Sequence, residues 1–311
     1  MKLSITTSSY LKRLDGSQVT VPQCIDLLEE AGFKSLDIFF GDAASGKVEL
    51  CRDDWMDWAK ALREDLDRRG LTADQAHAPF YNTLSPDIKD REYKEEMIRR
   101  SIIASDILGV KWIVIHPGTN YIDNYLDVNI KGNVEFYTPF LELAAKQPGG
   151  IGIAIENLFD THHVANGVTG STEKSDRRIN DYIVTQRRFG SSVAELQMLL
   201  AELKKDFSNV GACWDFGHGN NASADVVTCL KRLGKDLKAL HVNDNLGIYD
   251  DHLLPFLGTV PWFDVMSTLK EIGYEGVFAF ETHLVTKRMP EELVRETFKF
   301  TRKIGEYLVN L

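Results

Sequence analysis

The chain has 311 residues, of which 43% are hydrophobic and 26% are charged. These proportions are typical of a folded soluble protein and exclude a disordered, collagen-like or low-complexity chain. The formal net charge is −10, from 36 lysines and arginines against 46 aspartates and glutamates. Because phosphate binding depends on lysine and arginine, this acidic balance disfavours a nucleic-acid partner.

The cysteines and the N-terminal segment indicate the compartment. Cys24, Cys51, Cys213 and Cys229 have no CxxC spacing, so we expect reduced thiols in the core. The first residues, MKLSITTSSY, lack the apolar stretch of a signal peptide. No apolar run approaches the ~18 residues that a membrane span needs. We therefore expect a cytoplasmic protein without membrane contact.

Eight short apolar runs alternate with longer amphipathic segments. We predict strands at Lys2–Thr7, Ser35–Phe40, Thr72–His77, Trp112–His116, Gly152–Glu156, Gly211–Asp215, Lys238–Val242 and Val277–Glu281. Five of the amphipathic segments end in a glycine suited to a helix C-cap: Gly32, Gly70, Gly109, Gly234 and Gly273. The alternation predicts an α/β chain, residues 1–311, folded as a single-domain (β/α)8 TIM barrel. A doubly wound open sheet is the alternative, but no GxGxxG motif follows the first strand.

One segment departs from the regular alternation. About 35 residues, from Leu158 to Ser192, separate the fifth predicted strand from its helix and are rich in glycine, asparagine, threonine and charge. Loops of this length in compact domains usually serve as lids or substrate-binding loops. We expect such a role for this loop.

Alternation within each strand assigns side chains to the barrel interior or to the helices. In the fifth strand, Ile153 and Ile155 face the helices, whereas Ala154 and Glu156 face the interior. The third strand places Ala73, Gln75 and His77 together on the inward side. Six strands end inward in an ionisable residue: His77, His116, Glu156, Asp215, His241 and Glu281. In TIM barrels the C-terminal strand ends carry the catalytic groups.

Four of these residues predict a metal site. Glu156, Asp215 and Glu281 bring three negative charges together, which is costly in a partly buried site unless a cation balances them. With His241 they form an oxygen-rich ligand set for a divalent ion, suited to Mn²⁺, Mg²⁺ or Co²⁺ and tolerant of Zn²⁺.

Five further residues are candidates for substrate contacts or for additional metal ions: His77, His116, His218, Asp250 and His252. His218 follows Asp215 by one turn in the sequence DFGH, and Asp250 and His252 lie on the loop after the seventh strand. An ordinary polar loop is the alternative interpretation of that last pair.

Seven motifs occur in order along the chain: HAPF at His77, IHPG at His116, IEN at Glu156, DFGH at Asp215, HVND at His241, DxHLLPFLG at Asp250 and FET at Glu281. Together they resemble the xylose isomerase-like TIM-barrel superfamily over nearly the whole chain. That superfamily contains sugar-phosphate isomerases and epimerases, ketose 3-epimerases, inosose-processing enzymes and endonuclease IV.

The resemblance implies roles for individual residues. In the ketose 3-epimerase branch, a Glu, an Asp, a His and a second Glu hold one metal ion; they match Glu156, Asp215, His241 and Glu281. The two glutamates of that branch act as opposing acid/bases, and the residue matching His218 contacts the substrate. In the endonuclease IV branch nine ligands hold three zinc ions, and each of the nine has a match here, so the metal ligands do not separate the branches.

Other features favour the sugar-directed branch. The sequence FFGDAASGK follows the second strand, where an endonuclease would be expected to have an arginine-containing DNA-inserting loop. We therefore expect a metal-dependent sugar isomerase or epimerase that transfers a proton through a metal-stabilised enediolate. A polyol or inosose dehydratase, an endonuclease IV-like zinc phosphodiesterase and a non-catalytic sugar-binding barrel are the alternatives.

The expected partner is a small-molecule sugar or polyol, and the sequence is also compatible with a homo-oligomer. Phe80 and Trp262 are candidate aromatic walls of the pocket, with ordinary packing as the alternative. No glycine-rich phosphate cradle follows the seventh or eighth strand, so the sequence does not support a phosphorylated substrate.

Overall fold

The computed structural model describes residues 1–45, 48–121, 125–164 and 183–311. In chain order the strands are β1 (Lys2–Thr6), β2 (Ser35–Phe39), β3 (Thr72–His77), β4 (Trp112–Ile115), β5 (Gly152–Glu156), β6 (Thr161–Val164), β7 (Ile183–Gln186), β8 (Val210–Asp215), β9 (Leu237–His241) and β10 (Val277–Phe280). All except β6 and β7 belong to one parallel sheet of eight strands.

Helices follow each strand of this sheet. They are α1 (Val21–Glu30), α2 (Trp55–Arg69), α3 (Arg91–Leu108), α4 (Tyr125–Ala145), α5 (Val193–Leu203), α6 (Phe216–Asn221), α7 (Val226–Leu233), α8 (Trp262–Glu271), α9 (His283–Thr286) and α10 (Glu291–Val309). The five glycines expected at helix ends all have positive φ. No helix among the described residues combines the length and apolarity of a membrane span.

The sheet closes on itself. Its strands run in the order β10-β1-β2-β3-β4-β5-β8-β9, and Lys2 pairs with Val277 where the first strand meets the last. At the seam between β9 and β10, the backbone N–H of Val242 donates to the carbonyl of Ala279 at 2.7 Å. The predicted (β/α)8 barrel is therefore confirmed, and the open doubly wound sheet is wrong.

The predicted division of side chains between interior and helices is also confirmed for most strands. Val114, Ala154, Cys213 and Ala239, from four consecutive strands, form a small buried cluster of their own. The residues of opposite parity belong to the main core between the strands and the helices: Ile113, Ile115, Ile153, Ile155, Ala212, Trp214, Leu240, Phe278 and Phe280. All four cysteines are unpaired, although Cys51 is only partly buried.

The third strand departs from the expected alternation. Leu36 pairs with Ala73, but the next residue of β2, Asp37, pairs with Gln75, so β3 carries one extra residue. This β-bulge turns Ala73 into the main core instead of placing it inward with Gln75 and His77. The expected inward position of Ala73 is therefore wrong.

Small residues leave room for large side chains at the N-terminal end of the barrel. A Cβ atom at Gly152 would lie 2.3 Å from the Trp112 ring, and one at Gly211 would lie 2.2 Å from Cγ of Lys238. Lys238 places its Nζ 5.6 Å from the centre of the Trp112 ring. Side chains such as Trp112 and Lys238 thus occupy the space beside these glycines, below the C-terminal strand ends.

The segment expected as a long loop contains regular structure. Strands β6 and β7 pair antiparallel, with Thr161 opposite Gln186 and Val164 opposite Ile183. The long loop expected after the fifth strand therefore contains a β-hairpin. The rest of the expected loop includes residues 165–182, which lie outside the described residues.

Asp244 organises the loop between β9 and α8. It is fully buried, and its two carboxylate oxygens accept hydrogen bonds from the backbone N–H groups of Phe256 (3.0 Å) and Val260 (3.1 Å). Nε1 of Trp262 also donates to Asp244, at 2.9 Å. Trp262 packs on Phe216, 5.2 Å between ring centres, in the core. Trp262 is therefore a core residue, so of the two interpretations left open by the sequence, ordinary packing is confirmed and the pocket wall is wrong.

We expect Asp244→Ala to lower the free energy of unfolding by about 3 kcal/mol, because it removes the acceptor of three donors outside its own turn, of which those of Val260 and Trp262 are buried. Urea denaturation of the variant measures the loss. Asp264→Ala, at an exposed position in the first turn of α8, is the control and should cost less than about 1 kcal/mol. Equal stability of the two variants would contradict this role of Asp244.

Candidate metal centre and active site

Glu156, the last residue of β5, lies at the centre of a group of histidines. Its Oε1 is 2.9 Å from Nδ1 of His241, and its Oε2 is 2.9 Å from Nε2 of His116. Nε2 of His77 lies 3.2 Å from the same Oε2. Glu156, His77 and His241 are buried, whereas the His116 side chain retains 14% of its exposure. Four strand ends thus converge as the alternation predicts.

Asp215 ends β8 and begins the short helix α6. Its Oδ1 accepts a hydrogen bond from the backbone N–H of His218 at 2.7 Å, and its Oδ2 accepts one from Nδ2 of Asn243 at 2.8 Å. Asn157 fixes both residues: its Oδ1 accepts from the backbone N–H of Asp215, and its carbonyl lies 2.8 Å from Nδ1 of His218. His218 Nδ1 consequently lies 3.4 Å from Oε1 of Glu156.

The loop after β9 and the residue after β10 complete the group. Asp250 Oδ2 lies 3.0 Å from Nε2 of His252 and 3.5 Å from Nε2 of His218. His252 has a φ of +45°, in the left-handed region, and its Nδ1 lies 2.8 Å from the carbonyl oxygen of Glu281. Oε2 of Glu281 is 3.4 Å from Nδ1 of His241. All nine residues singled out from the sequence therefore lie at one end of the barrel.

Several sets of these side chains could hold a metal ion. Among the described residues, four overlapping sets have ligand atoms within 4.8 Å of one another. The sets are His77, Glu156 and His241; Glu156, Asp215, His241 and Glu281; His218, Asp250 and His252; and His252, Glu281 and His283. The second is the four-residue set expected from the sequence, and its three carboxylates and one imidazole suit a divalent cation.

The two glutamates are ionised at neutral pH. Burial alone would raise the pKa of Glu156, but the imidazole of His241 outweighs it and holds that pKa well below its ordinary value. Burial acts in the same direction on Glu281, and His241 and His252 lower its pKa below the ordinary value. Burial raises the pKa of Asp215 to about 6, with the neighbouring carboxylates adding to the effect.

The histidines divide into two kinds. Burial disfavours a charge on His218 and His252, but Asp250 and the neighbouring carboxylates outweigh it and raise both pKa values to about 10. Burial dominates at His116 and lowers its pKa to about 4. Burial, reinforced by His252, likewise lowers the pKa of His283 to about 4. Protonated imidazoles thus balance part of the carboxylate charge, and a divalent cation would supply the same balance.

Two contributors were missed in the sequence analysis. Asp37, at 1% exposure on β2, has its Oδ2 3.6 Å from Nε2 of His241 and accepts a hydrogen bond from Gln75 at 3.1 Å. The alternation argument, applied to the second strand, would have found Asp37. His283 contacts His252, with 4.1 Å between ring centres, and its position two residues after Glu281 was the available signal.

Phe80 lies where the sequence suggested an aromatic wall. Its ring centre is 5.2 Å from that of His116 and 5.7 Å from that of His77, and the residue is 49% exposed. A half-exposed ring in contact with two histidines of the group forms part of the rim of the site.

Comparisons with known proteins address the fold and the family of the chain. A curated relative, an uncharacterized protein of Methanocaldococcus jannaschii, is 29% identical over 244 residues, which cover 75% of this chain and 69% of the relative. A crystal structure of a D-tagatose 3-epimerase-like protein has a TM-score of 0.69 at 22% identity and covers 100% of this chain and 98% of its own. The IOLI protein, solved with a zinc atom, has a TM-score of 0.69 at 18% identity, with coverage of 99% and 98%.

The two structural similarities lie below 25% identity and establish the fold alone. The family assignment comes from the sequence, because the family described as xylose isomerase-like TIM barrel matches residues 25–304. That match spans β2 to β10 and includes all nine residues of the site. The chain belongs to the xylose isomerase-like TIM-barrel family.

Proposed function

We propose that the protein is a divalent-metal-dependent isomerase or epimerase of a sugar or a related polyol-derived ketone. The observation that carries this proposal is the approach of two glutamate carboxyl groups to one atom. Glu156 from β5 and Glu281 after β10 lie 2.9 Å and 3.4 Å from the same atom, Nδ1 of His241. The two residues belong to strands that are three positions apart around the barrel, so they can flank one bound substrate.

The donor set fits a divalent metal ion. Glu156, Asp215, Glu281 and His241 would hold it, and its charge would balance three carboxylates that are otherwise costly to bury together. When bound, such an ion would act as a Lewis acid that stabilises negative charge on substrate oxygens. The epimerase-like and zinc-containing structures that share this fold support the proposal.

The protein side chains would move the proton. An ionised carboxylate can remove the proton α to a carbonyl group, and a second carboxylate on the other face can return one. The lowered pKa values of Glu156 and Glu281 favour the ionised, basic form of both. His218 and His116, next to Glu156, would hydrogen-bond substrate hydroxyl groups, and Phe80 would cover the rim.

We expect Glu156→Gln and Glu281→Gln each to lower turnover by roughly 10²–10⁴-fold, the usual contribution of a positioned acid or base. Both variants should still bind sugar, because the hydroxyl contacts remain. The measurement is incorporation of solvent deuterium into each epimer separately, over a panel of ketoses, aldoses and inososes with Mn²⁺ added. Metal content is measured in parallel.

The pattern of exchange distinguishes two mechanisms. With one base on each face, a variant can still exchange the α-proton of one epimer without completing the inversion. With a single base, one variant loses both exchanges and the other keeps them. Near wild-type turnover in both metal-loaded variants would exclude the two-carboxylate mechanism.

We expect His241→Ala to lose the bound divalent ion, because it removes the imidazole from the four-residue set. Elemental analysis of the folded variant measures the loss. His252→Ala is the matched comparison: with a single ion per chain it should leave the metal content unchanged. Three ions per wild-type chain, with one lost in His252→Ala, would instead favour a zinc phosphodiesterase.

We expect Asp37→Asn to weaken Mn²⁺ binding by roughly 10- to 100-fold, because a carboxylate behind a metal-binding histidine orients the ring and raises its basicity. Titration of metal-free protein with Mn²⁺ measures the affinity. Asp74→Asn is the control: Asp74 lies in β3 near Lys2 and Ser35, away from the site. A similar loss in both variants would show a general effect on the barrel.

A further inference from the structure

Arg188, which follows β7, lies beside the candidate metal ligands described above. The central carbon of its guanidinium group is 5.1 Å from the centre of the Phe159 ring. That ring is in turn 4.8 Å from the ring centre of His218. One aromatic side chain therefore contacts both the arginine and a histidine of the site, and such stacking fixes the plane of the guanidinium group.

The backbone that carries Arg188 is anchored by side chains at three consecutive N–H groups. The N–H of Arg188 donates to Oδ1 of Asp160 at 3.2 Å, and that of Phe189 donates to Oγ1 of Thr119 at 2.9 Å. The N–H of Gly190 donates to Oε2 of Glu195 at 3.0 Å. Because side chains hold three adjacent N–H groups of this segment, the side chain of Arg188 starts from a defined backbone position.

The guanidinium group of Arg188 makes no ion pair with a carboxylate of the described residues. Its neighbour Arg187 does, with Nη2 2.7 Å from Oε1 of Glu195. Burial lowers the pKa of Arg188, although Tyr121 and the carboxylates of Asp250 and Glu156 act in the opposite direction. Burying a cation without a direct anionic partner costs free energy unless a bound ligand supplies that partner.

Given the proposed function, we infer that the substrate carries an anionic group, a carboxylate or a phosphate, and that Arg188 binds it. The planar guanidinium group donates two parallel hydrogen bonds to either anion. The carboxylates of the metal group would repel an anionic sugar, and a cation at the rim offsets that repulsion. A neutral sugar would leave the guanidinium group without an anionic partner among the described residues.

Three ketoses that differ only at carbon 6 test the inference: D-fructose, D-fructose 6-phosphate and D-fructuronate. Calorimetric titration of the Mn²⁺-loaded protein measures their affinities. We expect one of the two anions to bind at least about 10-fold more tightly than D-fructose, and the better anion identifies the source of the charge. In Arg188→Gln this anion should bind roughly 10- to 100-fold more weakly, the loss typical of a bidentate charged contact.

Two further variants keep the result interpretable. Arg187→Gln removes the same charge one residue earlier and should retain the preference for the anion. Arg188→Lys keeps the charge without the planar pair of donors and should lose part of the affinity. Thermal denaturation of each variant checks folding. Equal binding of the three ketoses to the wild-type protein, or unchanged anion affinity in Arg188→Gln, would overturn the inference.

Deuterium exchange separates this inference from the proposed function. Loss of anion binding in Arg188→Gln, without α-proton exchange in any ketose, would support the anion site and reject the isomerase. Exchange of D-fructose at the same efficiency as both anions, unaffected by Arg188→Gln, would support the isomerase and reject the anion site.

Discussion

Buried carboxylates at one end of the barrel impose the constraint on which the site depends. Asp37, Glu156, Asp215 and Glu281 are nearly inaccessible to water, and none has a lysine or arginine partner among the described residues. Uncompensated charges of this kind would favour unfolding. Among the side chains that the structure describes, six imidazoles surround these carboxylates, namely His77, His116, His218, His241, His252 and His283. A protonated imidazole balances the charge of a carboxylate directly. A neutral imidazole does so only by holding a metal cation.

Most of this arrangement could be predicted because strand geometry is simple. A period of two residues fixes which side chains enter a barrel, so Glu156 and His241 followed from the alternation alone. The same rule failed at Ala73, where an extra residue in β3 changes the side of the strand. A β-bulge depends on the pairing of two strands that are distant in sequence, and no local pattern in β3 indicates it.

Residues outside the strands were harder to interpret. Asp250 and His252 could be identified only as candidates, because the loop that carries them is shaped by Asp244 and not by a repeating pattern. Trp262 was left open between a pocket wall and ordinary packing for a related reason: an indole donates one hydrogen bond, and its partner decides whether the ring lies in a pocket or in the core. The hydrogen bond to Asp244, and not the hydrophobicity of the ring, determines the position of Trp262.

The side chains of the site are held in place in two different ways. The metal-ligand group lies mainly on strand ends, where the backbone is fixed by the barrel ladder. Arg188 and Phe159 instead belong to the segments that flank β6 and β7, anchored by side chains such as Asp160. Changes in these segments can therefore alter the surroundings of Arg188 while the side chains at the strand ends stay in place, a division typical of this architecture.

Closure of the barrel between β1 and β10 affects how the protein matures. Lys2 finds its partner only when Val277 has been synthesised, and Glu281 follows four residues later. On the ribosome, Glu156 and Asp215 are therefore made well before the final carboxylate of their group and before the strand that seals the barrel. The four strand-end residues Glu156, Asp215, His241 and Glu281 therefore come together only at the last stage of synthesis, and a metal ion bound by them would find its full ligand set only then.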